Sequence, residues 1–393
     1  KRGLITNEIC PGWFDQGAVI QLNIDSPING NPMKYVFTKW TGDASGSNRP
    51  TPVTMNLPKD ITANYKTQYE VTFTQSGLDS SATSTVVTVN GTAKSYGQLP
   101  YVFWVDNGTV ITYSYGNVSS STPGKRFILT GVTGPASPIT VTSSVTVTGN
   151  YKIQYQITVT ASPSGAIGGT FKVTYTKCGT VYTNVQKTTT WTEWVDASTT
   201  VTVSQPQDPI NGLSGTRYKF DHYDPSDSVT MNQAKTITLV YKTQYKITFN
   251  QTGVGGDFTG TIVTIDGTNY TTLPQSFWWD KNSNHTFSFA SPLVVNASKQ
   301  YVWVSTSGLS TLQSGTLNVT SSGSVTGNYK TQYYLTVNTN PAEVLTLNPS
   351  AVSGQGWYYS GTTATVDAVQ VVSKVPGQSR YDFRSWTGAT PTG

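Results

Sequence analysis

Charge is what this 393-residue chain has least of. Only 11% of its residues are Asp, Glu, Lys or Arg, and the 25 basic against 20 acidic side chains leave a net charge of +5. The basic residues stand singly, so no run of Lys or Arg can follow a phosphate backbone, and nucleic acid is excluded as a partner. No stretch of about eighteen apolar residues occurs, which argues against a membrane span in this segment. No signal peptide opens at Lys1, and the chain reads as already processed or cut from something longer. Ser and Thr make up roughly a quarter of the residues, so hydroxyls, amides and sugars must do the solubilising that charge does elsewhere.

Reactive groups are equally sparse. The two histidines, His222 and His285, are far apart in the sequence, and no Cys, His or carboxylate cluster has metal-ligand spacing. Asp221, Asp224 and Asp227 lie near His222, but Pro225 interrupts them and the spacing is not that of a calcium loop, so a solvated loop is the expectation. Glu occurs mainly singly, at Glu8, Glu70, Glu193 and Glu343, which gives little support to a paired-carboxylate glycosidase. No nucleophile elbow or glycine-rich phosphate loop is present. The chain is expected to be no enzyme, with no catalytic residue, metal or cofactor.

What the sequence does have is a repeat. Tyr-Lys-x-Gln-Tyr occurs at Tyr65–Tyr69, Tyr151–Tyr155, Tyr241–Tyr245 and Tyr329–Tyr333, with starts 86, 90 and 88 residues apart. Other landmarks keep step with it. An aromatic cluster ending in Asp comes first, at Trp13-Phe14-Asp15, Trp104-Val105-Asp106, Trp194-Val195-Asp196 and Trp278-Trp279-Asp280, diverging to Trp357-Tyr358-Tyr359. A strand that often begins with a basic residue follows, as at Arg126-Phe127-Ile128-Leu129 and Arg217-Tyr218-Lys219-Phe220. A Thr-Val or Thr-Ile stretch then leads into the next motif. The alternation in Tyr155-Gln156-Ile157-Thr158-Val159-Thr160 and Tyr245-Lys246-Ile247-Thr248-Phe249-Asn250 is that of half-buried strands. Asn90-Gly91, Asn107-Gly108, Asn211-Gly212 and Asp266-Gly267 punctuate the runs with turn residues. No window has helical amphipathicity.

The expected fold is therefore all-β: tandem Ig-like β-sandwich modules of about 88 residues, each with about seven strands, in an elongated rod. The expected division is 1–64 (a partial first module), 65–150, 151–240, 241–328 and 329–393 (an incomplete last one). No Ser/Gly or Pro linker separates the closing strand of one module from the opening strand of the next, which predicts stiff junctions. At the ends, Trp386-Thr387-Gly388 matches Trp40-Thr41-Gly42 and then the chain stops. Truncation of a longer repeat protein and completion of the end modules by a strand from a neighbouring copy are both compatible with this.

The tryptophan of each Trp-x-Asp cluster is expected to anchor the core between sheets. The recurring aspartates are expected to cap turns. Trp278 and Trp279, like Trp191 and Trp194, should point to opposite faces, leaving rings able to stack on sugars or on another subunit. Cys10 and Cys178 fall in the first and third modules, tens of Å apart in a straight rod, whereas a disulfide needs α-carbons within about 7 Å. The choice is between a bond linking staggered subunits and two unpaired thiols. The sequons at Asn90, Asn107, Asn117, Asn250, Asn269, Asn284, Asn296 and Asn318 are candidate N-glycosylation sites.

The segments Trp357-Tyr-Tyr-Ser-Gly-Thr-Thr-Ala-Thr-Val-Asp-Ala and Tyr381-Asp-Phe-Arg-Ser-Trp-Thr-Gly resemble divergent InlB B-repeat β modules. Trp13-Phe-Asp-Gln-Gly-Ala-Val-Ile and Tyr35-Val-Phe-Thr-Lys-Trp-Thr-Gly repeat the pattern at the front, and the Tyr-Lys-Thr-Gln-Tyr style looks archaeal. The central segments Arg126-Phe-Ile-Leu-Thr-Gly and Tyr301-Val-Trp-Val lack the closing Trp-Thr-Gly. The resemblance implies a secreted surface glycoprotein: an S-layer, adhesin or extracellular filament component on the cell surface, with no active site. Two functions compete. One is a structural subunit that self-assembles with copies of itself into a filament or surface layer. The other is a stalk or adhesin segment presenting or providing a carbohydrate-binding or cell-binding surface, with glycans as partners.

Overall fold

The computed structural model describes residues 4–5 and 12–388. The chain is almost entirely β-stranded, in several small, mostly antiparallel sheets. It divides into two compact units: Lys1–Thr160 with Gly168–Pro206 and Tyr223–Leu239, and Ala161–Ile167 with Gln207–His222 and Val240–Gly393. These do not follow the motif period.

Four long strands contain the repeated motif: Ile61–Ser76, Val145–Ser162, Lys235–Thr252 and Gly323–Leu335. Thr, Val, Ile and Tyr dominate them because branched and aromatic side chains pack well on a pleated surface. The two halves of such a strand have different neighbours. In the first unit, Met33–Gly42 runs antiparallel along Ile61–Ser76 from Gly42↔Ile61 to Met33↔Tyr69. The far half of the same strand pairs antiparallel with Tyr101–Asp106 and parallel with Val145–Asn150. The pattern recurs on Val145–Ser162, flanked by Lys125–Thr133 and Trp191–Asp196. In the second unit, Gln275–Asp280 lies antiparallel on Gln244–Phe249, and Gly323–Asn328 lies parallel to Ile247–Thr252. Lys299–Gly308 and Gly356–Tyr359 flank Gly323–Leu335.

Small sheets cover the inner faces and close the cores. In the first unit Val71 and Phe73 pack with Val87, Val89, Ile111, Ile139, Val141 and Val147. In the second, Ile247 and Phe249 pack with Val263, Ile265, Phe287, Phe289, Leu317 and Val325. The two cores correspond strand by strand: Val87↔Tyr115 and Val89↔Tyr113 in one, Val263↔Phe289 and Ile265↔Phe287 in the other. Backbone geometry repeats too. Bulges fall at Thr38, Thr130 and Val304, each followed four residues later by a glycine, Gly42, Gly134 or Gly308, with positive φ. Thus the central segments keep the glycine turn although they lack Trp-Thr-Gly.

Two expectations need correction. Trp13 anchors no core: its side chain is fully exposed, and Trp40 takes the buried place, 5.1 Å from Phe37. The chain is also not free of helix, since Glu343–Leu347 forms one short α-helix with Val344 buried against Ala351 and Val372. A single helical turn needs one anchoring side chain and so leaves no amphipathic periodicity to read.

Candidate functional site

Each copy of Tyr-Lys-x-Gln-Tyr lies inside one long strand, where its two sets of strand neighbours meet. The first tyrosine points inward and its hydroxyl donates to backbone carbonyls: Tyr65 to Asp25, Tyr151 to Val86 and Gly116, Tyr329 to Ile262 and Ala290. Tyr241 donates in the same way to Gln207. Burial pushes the Tyr151 phenol up to about 12 and raises that of Tyr329 as well, so these hydroxyls remain donors. The third residue's carbonyl accepts from the turn after the Trp-x-Asp cluster. Asn107 N donates to Thr67 O at 2.9 Å, Ala197 N to Ile153 O at 2.9 Å, Lys281 N to Thr243 O at 2.8 Å and Ser360 N to Thr331 O at 2.9 Å.

The glutamine is the centre of a clasp. Nε2 of Gln68, Gln154 and Gln244 donates to Oδ1 of Asp106, Asp196 and Asp280 at 2.6, 2.8 and 2.7 Å. On its other side, Gln154 Oε1 accepts from Arg126 Nε and Nη2 at 3.0 and 2.8 Å, and Gln244 Oε1 accepts from Arg217 Nε at 2.7 Å. Lys34 occupies the same register opposite Gln68. Each base then lies over the tryptophan next door: Lys34 at 4.4 Å from the Trp104 ring centre, Arg126 at 4.6 Å from Trp194, Arg217 at 4.6 Å from Trp278. Such cation–π contacts contribute about 1 kcal/mol each when partly shielded from water. So a base from one flanking strand, the motif glutamine, and the Trp and Asp of the other flanking strand form one connected cluster.

Trp104, Trp194 and Trp278 are accordingly half-buried on the outer face under a cation, not in the core. The inward ring in each strand is a neighbour: Phe103 beside Phe73, Trp191 beside Phe171 and Tyr175, Trp279 beside Phe249. The odd spacing of Trp191/Trp194 and of Trp278/Trp279 does split each pair between faces. The aspartates do more than cap a turn. Asp196 is 6% exposed and accepts from the backbone N of Cys178 and Gly179, at 2.9 and 2.7 Å, besides Gln154. A buried polar group costs stability unless it is hydrogen-bonded in this way.

Cys178 and Gly179 both have positive φ and form the tight turn of the Thr170–Lys177/Thr180–Thr188 hairpin. Cys178 is an exposed free thiol, and Cys10 lies outside the described residues. Of the sequon asparagines, Asn250 is half-buried and the other seven are exposed. Oδ1 of Asn90, Asn117, Asn269 and Asn296 accepts hydrogen bonds from its own loop or sheet neighbours. In Asn318 it is the amide nitrogen that is used, donating to Asn282 O and Asn284 Oδ1.

One side-chain chain has the order of an acyl-transfer triad: Ser283 Oγ lies 2.9 Å from His285 Nε2, and His285 Nδ1 lies 2.7 Å from Asp266 Oδ2. Ser283 Oγ, however, donates to the Asp280 carbonyl at 2.6 Å, and the imidazole is stacked 3.7 Å from Trp279. The serine proton is committed to backbone and the ring is fixed in place, so the arrangement braces a turn. Near His222, Asp221 pairs with His222 Nδ1 at 2.9 Å and with Lys242 Nζ at 2.8 Å. Among the described residues no group of three His, Cys, Asp or Glu could hold a metal ion.

Ion pairs secure the loop after two of the long strands. Lys125 Nζ binds Asp79 and Lys299 Nζ binds Asp257 Oδ2 at 2.7 Å, with Tyr301 OH on the other oxygen of Asp257. The Lys125 hydrogen bond, followed by that of Ser81, holds Asp79 at about 2, well below the usual 3.8. Lys299 and then Tyr301 lower Asp257. A carboxyl whose folded value is depressed adds stability above its unfolded value and loses it as pH falls through the folded one. Thermal unfolding followed by circular dichroism should thus give a Tm that is level down to about pH 4 and falls between about pH 4 and 2. Asp79→Asn should flatten that fall. An unchanged slope would show that other carboxylates control it.

An open apolar cleft of about 1380 Å³ lies in the first repeat, lined by Phe14, Ile20, Leu22, Trp40, Met55 and Tyr65 among others. Among the described residues, no strand pairs with the edge of Ile61–Tyr65 opposite Met33–Gly42. In the next repeat that place, beside Val145–Asn150, is filled by Val71–Ser76.

No helix among the described residues is long and apolar enough to cross a membrane. No protein-family model matches the sequence, and no curated protein is significantly similar to it. Among solved structures, the Bacillus anthracis TIE protein matches at 9% identity, TM-score 0.22, over 75% of this chain and 58% of its own. The pilus adhesin SpaC from Lactobacillus rhamnosus GG, in its open conformation, matches at 11% identity, TM-score 0.22, over 78% of this chain and 48% of its own. A streptococcal ancillary pilin matches at 11% identity, TM-score 0.18, over 66% of this chain and 98% of its own. The chain thus spans about half the length of the first two proteins. These are distant likenesses to bacterial surface, pilin and adhesin proteins, and neither an InlB repeat nor an archaeal protein is among them.

Proposed function

We propose that the protein is a structural subunit of an extracellular filament or cell-surface layer, assembling with copies of itself through its tandem β modules. The observation that carries this reading is the joint. One long strand pairs with different neighbours along its two halves, and a base, a glutamine, an aspartate and a tryptophan brace the place where they meet. A brace repeated at each motif suits a chain that offers the same surface again and again to copies of itself. In this reading the repeats are modules over 65–150, 151–240 and 241–328, with partial ones over 1–64 and 329–393, and the InlB-like segments mark the first and last.

Copies would join by strand complementation at the open edge of Ile61–Tyr65. The buried pairs Val71/Phe73 and Ile247/Phe249 set the pattern for the donor: large apolar side chains at alternate positions facing the cleft. In this reading the exposed thiol of Cys178 would bond to Cys10 of another copy. The outward-facing sequons, Asn90, Asn107, Asn117, Asn269, Asn284 and Asn296, are favoured for glycans over Asn250 and Asn318, where the side chain is half-buried or its nitrogen already bonded.

Sedimentation and electron microscopy of the purified chain over rising concentration test the reading. Ordered end-to-end assemblies are expected. Ala63→Lys, which places a charge among the partly buried residues lining the cleft, should suppress them, with circular dichroism checking that the variant still folds. A monodisperse monomer at all concentrations would instead favour a stalk that presents a binding surface.

A further inference from the structure

We propose that the outer face of the fourth joint, around Trp357, is a binding site for a neutral sugar ring. At the three other joints the equivalent tryptophan is covered by Lys34, Arg126 or Arg217 and flanked by Asp106, Asp196 or Asp280. At the fourth joint both charges are replaced together. Gln300 stands in the register of the base, with Nε2 donating to Gln332 Oε1 at 2.7 Å, and Tyr359 stands opposite Gln332 where an aspartate stands elsewhere. Among the described residues no cation lies over Trp357.

The residue paired across the strands with the tryptophan changes as well. It is Glu70, Gln156 and Lys246 at the first three joints and Tyr334 at the fourth. Tyr334 and Trp357 meet edge to face, with ring centres 5.2 Å apart and planes at 72°. Tyr334 is 37% and Tyr359 38% exposed. A charged clasp has become an uncharged corner of three aromatic rings with a planar amide beside it.

That chemistry selects its occupant. The C–H face of a pyranose packs on an aromatic face, and its hydroxyls take hydrogen bonds from phenol and amide groups at the rim. A neutral ligand matches a site from which the acid and the base of the other joints have both been removed, leaving Lys330, 5.9 Å from the Tyr359 ring, as the neighbouring cation. The inference goes beyond the filament reading and does not depend on it, because assembly and sugar binding have separate readouts.

The test is native electrophoresis of the full chain through gels with and without mannan, dextran, xylan or hydroxyethylcellulose. At least one polysaccharide is expected to reduce mobility about twofold relative to the sugar-free gel. Trp357→Ala and Tyr334→Ala should abolish the retardation, whereas Trp194→Ala should keep it. The decisive variant is Gln300→Arg combined with Tyr359→Asp, which rebuilds the charged clasp of the other joints. It should fold at least as stably as the parent and bind no sugar. Retardation by none of the four polysaccharides, or retardation that survives the rebuilt clasp, overturns the proposal. So does concentration-dependent dimerisation that Tyr334→Ala abolishes, which would assign the face to a second copy.

Discussion

Phe249→Ala is expected to cost about 3–5 kcal/mol, the largest loss from a single truncation in the second unit. The ring is fully buried, between Phe277, Trp279 and Phe287, and belongs to the cluster formed by Ile247, Val263, Ile265 and Phe289. Removing it takes away burial and leaves a cavity that paired strands on both sides cannot close. Calorimetry of the variant should show a transition several degrees lower for a fraction of the heat absorbed, while Trp13→Ala, which removes a fully exposed ring, should leave the trace unchanged. A Phe249→Ala loss below about 1 kcal/mol would mean the small sheet over it is not packed as described.

Asp196→Ala is expected to cost about 3 kcal/mol, against less than about 1 for Asp106→Ala. The two aspartates hold equivalent places, but their surroundings differ. Asp196 is buried and accepts from Gln154 Nε2 and from two backbone amides in the Cys178-Gly179 turn. Its removal takes the carboxylate acceptor from three donors, one of them on Gln154, which is 1% exposed and also binds Arg126. Asp106 has 46% of its side chain exposed, so water replaces what is lost there. Chemical denaturation of both variants, with Asp196→Asn as the shape-preserving control, measures the difference. Equal losses would show that the clasp owes nothing to burial.

How much of this the residues announced depends on how far apart the partners are. Alternation in Tyr155–Thr160 and Tyr245–Asn250 identified strands because neighbouring side chains on a strand face opposite ways, a local property. Turn pairs such as Asn90-Gly91 and Asp266-Gly267 were legible for the same reason, and both have the positive φ expected. The clasp was visible only as separate landmarks. Arg126, Gln154 and Asp196 are brought together by strand pairing across 28 and 42 residues, and nothing in the spelling of each motif says that they touch. A signal existed: at the fourth repeat the base and the aspartate change together, to Gln300 and Tyr359, as contacting residues do. Trp13 misled because its sequence neighbourhood matches Trp104, yet the outward orientation of that ring is sheltered only where a cation covers it. Cys178-Gly179 was unexpected as a hairpin turn because cysteine is rarely the residue that accepts positive φ.

The parallel alignment of Val145–Asn150 with Val71–Ser76, and of Gly323–Asn328 with Ile247–Thr252, has a mechanical meaning. Tension drawn through such a pair slides one strand along the other. Its cross-links are then strained in concert and cannot fail singly, as they do when a hairpin is peeled from its open end. Force would therefore be borne within each repeat by the same hydrogen bonds that set its register, and rupture should come abruptly, at a higher load than peeling requires.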